Sequence, residues 1–341
     1  MKKLIPVFMG LFLALNIASA QNANSITNVG TTAAPFLQIG VGSRAIGMGG
    51  SFVATANDVS AMYWNPAGLG YLDKIEAIFV HTKWIADITY DYAGIVFPTY
   101  SFGTIGVNIT ILNMGEMQVR TVDRPDGTGE FFEAKDLAIG LSYGIKLTNR
   151  FSIGLNFKYI LQTIWKESAQ GFAVDIGTLY HTPVQGLRIG ASLTNFGSDM
   201  QMNGSDLLVY HDIDPYNSGN NDRIFAELQT DSWPLPLTFQ LGIAMDVLSS
   251  ENHLLTVEVD AVHPIDNSES VHLGMEYGFL GNYFIRLGYR NLFLTDAEEG
   301  LTLGGGLTFN ILSGLSFSLN YAYADFGRLQ NAQRFSLIMR F

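Results

Sequence analysis

The sequence has 341 residues, a formal net charge of −12 and 36 glycines, and only 15% of its residues are charged. Its acidic balance argues against nucleic acid as a partner, because a phosphate backbone is bound by clustered lysine and arginine. The chain contains no cysteine, so no disulfide can stabilise it. With a mean hydropathy of +0.19 the chain is low in charge for a soluble enzyme, yet beyond the first residues no apolar run reaches the ~18 residues of a membrane helix.

Residues 1–20 have the pattern of a secretory signal peptide. Two lysines precede an apolar run over residues 4–15, and the small residues Ala18-Ser19-Ala20 form a signal-peptidase site. The apolar run is too short to span a bilayer of ~30 Å as a permanent helix. We expect cleavage before Gln21, and because no cysteine follows, we expect a plain secretory signal.

Residues 21–72 form a glycine-rich segment with a motif of its own. The glycines within residues 42–50 allow the backbone to pack closely or to adopt positive φ. Asn57 or Asp58 can cap a short helix, and Pro66 ends it, because the residue before a proline is disfavoured in the helical region. We interpret residues 21–72 as a plug, or hatch, inside a barrel formed by the rest of the chain.

Residues 73–341 alternate apolar and polar side chains in segments of ~10 residues separated by turn residues. The clearest segment, residues 151–162, places an unbroken series of apolar side chains on one face and mostly small or polar ones on the other. This alternation is typical of membrane strands with one face toward lipid. The sequence therefore predicts an all-β fold, a transmembrane antiparallel β-barrel of about 14 strands. The predicted strands start near Ile75, Tyr90, Phe102, Asp136, Phe151, Gly171, Leu187, Leu235, Leu254, Val271, Tyr283, Leu301, Leu315 and Ala332.

The connections between these strands fall into two classes, as in outer-membrane barrels with short periplasmic turns and longer external loops. The predicted periplasmic turns are residues 148–150, 182–186, 249–252, 280–282 and 312–314. The predicted external loops are residues 113–135 and 198–234. Trp84, Trp165 and Trp233 all fall at external strand ends, where we expect an outer aromatic belt at the lipid headgroups.

Charged side chains recur on the face that points into the predicted barrel, among them Lys146, Lys158, Asp175, Arg188 and Asp246. A wide barrel has room for a polar lumen in which opposite charges pair. We interpret these residues first as stabilisers of the lumen, with a functional site as the alternative. The predicted network comes from three successive strands and consists of Glu258, Asp260, His272, Glu276, Arg286 and Arg290.

The end of the sequence alternates the apolar residues Phe335, Leu337, Met339 and Phe341 with Ser336, Ile338 and Arg340. This pattern resembles the C-terminal signal by which the outer-membrane assembly machinery recognises β-barrels. The resemblance implies a location in the outer membrane of a Gram-negative-type envelope. It also implies two partners, membrane lipid and the barrel assembly machinery.

The stretch SRAIGMGGSFVATANDVSAMYWNPAGL, residues 43–69, resembles the N-terminal signature of the PorV/PorQ family. These proteins are relatives of the long-chain fatty-acid transporter FadL, which shares the shorter NPA element. The resemblance implies a fourteen-stranded barrel with an N-terminal hatch. The residues that carry it, for which it implies a structural or gating role, are Ser43, Arg44, Gly47, Met48, Gly49, Trp64, Asn65, Pro66 and Ala67.

The resemblance also implies a role in type IX protein secretion. PorV receives secreted proteins by their C-terminal signal domain and shuttles them to the attachment complex, in which PorQ works. We therefore expect a non-enzymatic adaptor or shuttle whose external loops contact secreted cargo proteins and which works with other secretion components. The alternative is a FadL-like passive transporter of hydrophobic small molecules, such as long-chain fatty acids, with an apolar pocket beside the hatch.

Neither function calls for a cofactor or a metal ion. The histidines show no convincing nucleophile–base–orienter set. The glycine pattern at residues 40–45 lacks the strand–helix–strand unit of a dinucleotide site. Residues 211–214 and 220–222 place oxygen ligands in the longest loop, but their spacing is not that of an EF-hand, and we interpret the loop as solvated rather than calcium-binding.

Overall fold

The structure, a computed structural model, describes residues 28–99, 101–214, 216–217, 223–295, 297–312 and 314–341. The expected signal peptide lies outside these residues. Residues 28–72, called the N-terminal segment below, contain the short helices α1 (Ser43–Gly47) and α2 (Ala61–Trp64) and the 3-10 helices Pro35–Gln38 and Pro66–Tyr71. No helix in the described part of the chain is long and apolar enough to cross a membrane.

Fourteen antiparallel strands form one closed barrel, as the sequence predicts. They are β1 (Glu76–Lys83), β2 (Thr89–Thr99), β3 (Gly103–Gln118), β4 (Phe131–Lys146), β5 (Phe151–Ile164), β6 (Glu167–His181), β7 (Leu187–Gly197), β8 (Thr238–Ser249), β9 (His253–Pro264), β10 (Ser270–Phe279), β11 (Tyr283–Leu292), β12 (Leu301–Leu312), β13 (Leu315–Asp325) and β14 (Asn331–Arg340). Each strand pairs with its neighbours in sequence, and β14 pairs with β1 to close the ring. Closure satisfies the backbone hydrogen bonds of every strand, which is the condition for strands to cross lipid.

The outer surface of the barrel is apolar. On β5 the outward Phe157 is 48% exposed, whereas the inward Lys158 next to it is only 8% exposed. The same alternation holds on β4, where Leu141 is 57% exposed and the adjacent Ser142 is buried. A continuous band of exposed leucine, isoleucine and phenylalanine is unfavourable in water and is the expected surface of a barrel in lipid.

The connection between β3 and β4 covers only residues 119–130, and the predicted start of β4 at Asp136 is therefore late. The two strands continue to pair as far as Gln118 opposite Phe131. The outward side chains there, Glu133 and Lys135, are polar and exposed. Apolar alternation marks only the lipid-facing part of a strand, so it ends before the backbone pairing does.

The longest connection, residues 198–237, contains short paired strands of its own. Residues Leu208–His211 pair with Ile224–Glu227, and Met200–Gln201 pair with Ser232–Trp233. Both pairs lie on the side of the barrel that carries the longer connections. We refer to the first pair as the external hairpin.

The N-terminal segment contributes a large part of the apolar core. Ile46, Met48, Phe52, Met62 and Leu69 are all completely buried. The α1 helix contacts β11 to β14, whereas the 3-10 helix Pro66–Tyr71 contacts β2 to β6. The segment thus reaches walls on different sides of the barrel, and its backbone lies against their inward faces.

Candidate functional site

Arg44 joins the N-terminal segment to the barrel wall. Its Nε and Nη2 donate to the two carboxylate oxygens of Glu276 on β10, at 2.9 and 2.8 Å. Its Nη1 donates to Asp58 at 2.9 Å and to Asn57 at 2.6 Å. Glu276 also accepts a hydrogen bond of 2.6 Å from Nε of Arg286 on β11. One guanidinium therefore connects two parts of the segment to β10 and, through Glu276, to β11.

The charges in this cluster stabilise one another. Burial raises the pKa of Asp58, but the charge of Arg44 and hydrogen bonds from Ser60 outweigh burial, so the pKa ends below its usual value. Ser60 donates to Asp58 Oδ1 through its amide at 2.9 Å and its hydroxyl at 2.5 Å. Burial lowers the pKa of Arg44, and the charges of Glu276 and Asp58 more than reverse that effect. Arg44 and Asp58 are thus both ionised at neutral pH.

Two further carboxylates, both on β9, hold the extended part of the segment. Glu258 accepts the amide of Ala54 at 2.6 Å and the hydroxyl of Thr55 at 2.5 Å, and Asp260 accepts the amide of Phe52 at 2.9 Å. Both carboxylates are completely buried. They satisfy backbone donors that have no strand partner, and a buried unpaired amide would be costly. The chain after α1 is therefore attached to the barrel wall at Phe52, Ala54 and Thr55.

Asn65 of the NPA element makes three hydrogen bonds and is completely buried. Its Nδ2 donates to the carbonyls of Val53 at 2.8 Å and Thr178 at 3.0 Å, and its Oδ1 accepts the amide of Ala67 at 3.1 Å. Thr178 belongs to β6, so the side chain binds the segment to itself and to the wall. The short aspartate analogue could not replace it, since two of the three bonds need amide donors.

A row of glycines makes room for this element. Gly144, Gly154 and Gly177 lie directly opposite one another on β4, β5 and β6 and face inward. A Cβ atom on Gly144 would lie 2.7 Å from the carbonyl oxygen of Pro66 and 2.6 Å from the Cβ of Leu69. The wall has no side chains here, and this lets the backbone of the segment lie directly against it.

A second glycine pair receives the end of α1. Gly274 and Gly288 are opposite each other on β10 and β11, and a Cβ atom on Gly274 would lie 2.5 Å from the carbonyl oxygen of Met48. Sequence analysis missed both sets of wall glycines as site residues. The available signal was their position, because each falls on the inward face of its strand.

A cavity of about 530 Å³ lies next to the segment on the external side. Tyr63 and Trp64 line it from the segment, and Lys158, His272 and Arg290 line it from the wall. The lysine is paired with an aspartate on β6, and the arginine with a glutamate in the β11–β12 connection. The cavity thus combines aromatic surface with a lysine and an arginine that are each already paired with a carboxylate.

A family model described as type IX secretion system protein PorV matches residues 19–203, more than half of the chain. The chain belongs to the PorV family. This membership and the apolar outer surface place the barrel in the outer membrane, as a component of type IX secretion. A search of curated protein sequences gave no match.

Solved structures with the same fold belong to outer-membrane transporters. The CymD monoaromatic hydrocarbon channel is 14% identical over 89% of this chain and 97% of that one, with a TM-score of 0.54. The toluene transporter TbuX of Ralstonia pickettii is 12% identical over 88% and 97%, with a TM-score of 0.53. A FadL homologue of Pseudomonas aeruginosa is 13% identical over 88% and 98%, with a TM-score of 0.52. At these identities the likeness shows the fold alone, a FadL-like barrel.

In this PorV-family barrel the six residues predicted as one lumen network occupy three places. Glu276 and Arg286 join Arg44, whereas Glu258 and Asp260 bind backbone amides of the segment. His272 and Arg290 lie at the cavity, where His272 Nε2 is 3.1 Å from Asn291 Oδ1.

The structure also shows an ion pair between β1 and β14 that sequence analysis did not predict. Glu76 on β1 accepts a hydrogen bond of 2.7 Å from Arg340 on β14 and another of 3.0 Å from the amide of Val59.

The remaining motif residues make local contacts within the segment and with the wall. The amide of Ser43 donates to Ser336 at 3.3 Å, the carbonyl of Gly47 accepts from Thr302 at 3.3 Å, and Trp64 Nε1 donates to the carbonyl of Val41 at 2.8 Å. Gly49 has φ +71°, a value that favours glycine. Met48, Pro66 and Ala67 are buried.

The predicted aromatic belt divides in two. Trp165 and Trp233 are each 45% exposed, whereas Trp84 packs against Phe326 with ring centroids 4.9 Å apart. Of the predicted assembly signal, Phe335, Leu337 and Met339 lie on the outward face of β14, and Phe341 is 52% exposed.

In the described part of the chain no three histidine, aspartate or glutamate side chains lie close enough to hold a metal ion. Residues 220–222, weighed as possible calcium ligands, lie outside it.

Proposed function

We propose that this protein is a non-enzymatic adaptor, or shuttle, that binds secreted cargo proteins at its external loops during type IX secretion. The observation that carries the proposal is the fixed N-terminal segment, which we interpret as a hatch spanning residues 21–72. Arg44, Glu258, Asp260 and Asn65 attach it to β6, β9 and β10. A firmly bound part of the chain occupies the lumen of this barrel. The external surface, rather than a pore, is therefore the part that is available to bind another protein.

The external hairpin offers a surface for protein binding. Tyr210 and Phe225 lie on its two strands with ring centroids 5.0 Å apart, and they are 65% and 70% exposed. Exposed aromatic pairs of this kind often anchor protein–protein interfaces. Glu227 ends the second strand of the hairpin, and Asp206 lies two residues before the first. A cargo domain with apolar and basic side chains on one face would complement this hairpin.

The test is native mass spectrometry of the protein extracted from its own outer membrane in mild detergent. We expect stoichiometric adducts with secreted proteins that share a C-terminal domain, and we expect the double variant Tyr210→Ala, Phe225→Ala to lose them. The control is Phe309→Ala, which removes an aromatic ring of similar exposure, 46%, from the lipid-facing side of β12. Adducts that persist in the hairpin variant, or bound lipid without any protein, would refute the adaptor proposal.

The cavity supports a second candidate, passive transport of a hydrophobic small molecule. Its lining includes Leu37, Tyr63 and Trp64, and the last of these precedes the NPA element, where a transporter would need a movable segment. The measurement is uptake of a long-chain fatty acid into liposomes carrying the protein. Uptake above that of empty liposomes, and slower with Trp64→Ala, would favour transport. Equal uptake in both preparations would rule it out.

We also propose that β14 is the strand recognised by the barrel assembly machinery. The support is its outward row of apolar side chains ending at Phe341. Phe341→Ala should slow the appearance of folded barrel in the outer membrane, measured by heat-modifiable migration on gels. Phe309→Ala is again the matched control, and equal rates for the two variants would contradict the proposal.

A further inference from the structure

A groove of about 640 Å³ lies on the lipid-facing surface of the barrel, across β1 and β11 to β14. Gly305 on β12 lines it and leaves space there, because a Cβ atom at this position would meet nothing closer than a backbone oxygen at 4.0 Å. Except for one histidine, the outward side chains that line the groove are aliphatic or aromatic. They include Phe79, Ile285, Leu307, Leu319, Tyr321 and Phe335.

The groove follows one row of the strand register. From β1 to β11 the row consists of the directly opposed residues His81, Phe335, Tyr321, Gly305 and Ile285. Neighbouring strands lie ~4.8 Å apart, so the row is about 19 Å long. One leaflet of the hydrocarbon core is about 15 Å thick. A row of this length, inclined to the membrane as the strands are, therefore matches one acyl chain.

A pair of titratable side chains lies at the external end of the groove. His81 on β1 and Asp91 on β2 are directly opposite each other and face outward, with Nδ1 of the histidine 2.7 Å from Oδ1 of the aspartate. The next outward positions toward the external side, Lys83 and Gln333, are polar and exposed, whereas Phe79 on the other side is apolar. The pair thus lies at the external edge of the apolar band. Ionisable groups that face lipid are rare and usually functional.

Nε2 of His81 is a donor without an acceptor. Lipid favours the pair with Asp91 in a form without net charge, either imidazolium with carboxylate or imidazole with carboxylic acid. In both forms Nε2 carries a hydrogen. No described residue accepts a hydrogen bond from it. Because an unsatisfied donor in contact with hydrocarbon is unfavourable, an occupant of the groove should supply the acceptor.

From the groove and this donor we propose a binding site for one acyl chain of an outer-leaflet lipid. The ester or amide carbonyl at the start of the chain accepts the hydrogen bond from Nε2 of His81, and the chain lies over Gly305 toward Ile285. A lipid fits better than a second protein, because one donor at one end and apolar surface along the rest match an acyl chain and its carbonyl. The site is independent of the adaptor function and of the cavity beside the N-terminal segment.

The first test is native mass spectrometry of the full-length protein, extracted from its own outer membrane and washed with excess mild detergent. We expect one retained lipid per barrel after loosely bound lipid has been removed. Gly305→Leu fills the groove from a position with open space, and we expect this variant to lose the lipid. Ala261→Leu is the matched control, since it enlarges a small outward side chain on β9, and it should retain the lipid.

The second test asks whether the carbonyl is recognised. Delipidated protein is titrated with monopalmitoylglycerol and with hexadecylglycerol, an ether that has the same chain length but no carbonyl. We expect the ether to bind about ten-fold more weakly to the wild type, through the loss of one hydrogen bond. The double variant His81→Leu, Asp91→Leu leaves neither member of the pair unpaired. It should bind the two compounds equally.

Three results would overturn the proposal. One is a wild-type barrel that retains no lipid after washing, and another is equal retention in the wild type and in Gly305→Leu. The third is a membrane protein in place of a lipid among the adducts that Gly305→Leu loses. Equal affinity of the wild type for the ester and the ether would refute the hydrogen bond to His81.

Discussion

Arg44 and Glu276 are joined by two parallel hydrogen bonds of 2.9 and 2.8 Å, the bidentate arrangement of a guanidinium and a carboxylate. Arg286 adds a second cation on Glu276, and Asp58 adds a second anion on Arg44. The cluster therefore contains two charges of each sign, all hydrogen-bonded. A buried polar cluster that is fully satisfied favours one arrangement over others, because any displacement leaves a charge unpaired.

Arg44→Met should destabilise the protein by about 3 kcal/mol, because it leaves Asp58 buried without its cation and removes both bonds to Glu276. The measurement is urea unfolding in lipid vesicles followed by tryptophan fluorescence. The matched control is Arg328→Met, whose ion pair with Glu298 lies at the exposed surface, so its removal should leave the free energy of unfolding almost unchanged. Similar losses in the two variants would show that the Arg44 cluster does not hold the segment.

The same substitution should change the electrical behaviour of the barrel, if the N-terminal segment acts as a hatch. With Arg44→Met, the part of the segment around α1 loses its bonds to β10, and water and ions can enter beside it. We expect larger and more frequent conductance steps in planar bilayers than for the wild type. A variant with lowered stability and unchanged conductance would separate structural anchoring from closure of the lumen.

Stability should fall in acid partly through Asp58. Its pKa in the folded protein is lowered from the ordinary 3.8, because the charge of Arg44 and the hydrogen bonds from Ser60 outweigh the effect of burial. A lowered pKa means that the ionised form contributes stability above the unfolded-state value, and that this contribution is lost as pH falls through the folded-state value. The free energy of unfolding should therefore drop between about pH 5 and pH 3 by more in the wild type than in Asp58→Asn. Parallel curves for the two proteins would exclude this carboxylate as the source.

The sequence predicted the barrel because lipid imposes a period of two on every strand that crosses it. Because of that period, strands such as β5 and β9 could be recognised in the sequence, and the recognised strands gave an even number. The start of β4 could not be predicted from this period. From Phe131 to Lys135 the strand lies beyond the apolar band, where backbone pairing continues without the side-chain pattern.

The site was only partly predictable for a related reason. Inward parity identified Glu258 and Glu276 as lumen residues, but it cannot say whether a lumen carboxylate pairs with another strand or with a segment from elsewhere in the chain. Glu276 does both, whereas Glu258 binds the amide of Ala54, a group that every residue type except proline carries. Contacts to backbone leave no trace in the sequence of the partner. Gly144 contributes by having no side chain, which leaves room for the N-terminal segment. A pattern of apolar and polar residues gives no signal for such a position.

The row of wall glycines gives a prediction with a close control. Gly144→Ala should destabilise the barrel by about 1–3 kcal/mol, because the new methyl group would lie 2.6 Å from the Cβ of Leu69 and 2.7 Å from the carbonyl oxygen of Pro66. Gly305→Ala also replaces a strand glycine, but its nearest contact would be a backbone oxygen at 4.0 Å, so its effect should stay within about 0.5 kcal/mol. Urea unfolding in vesicles measures both. A large loss from Gly305→Ala would point to strand flexibility, and a negligible loss from Gly144→Ala would mean that the NPA element does not lie against this wall.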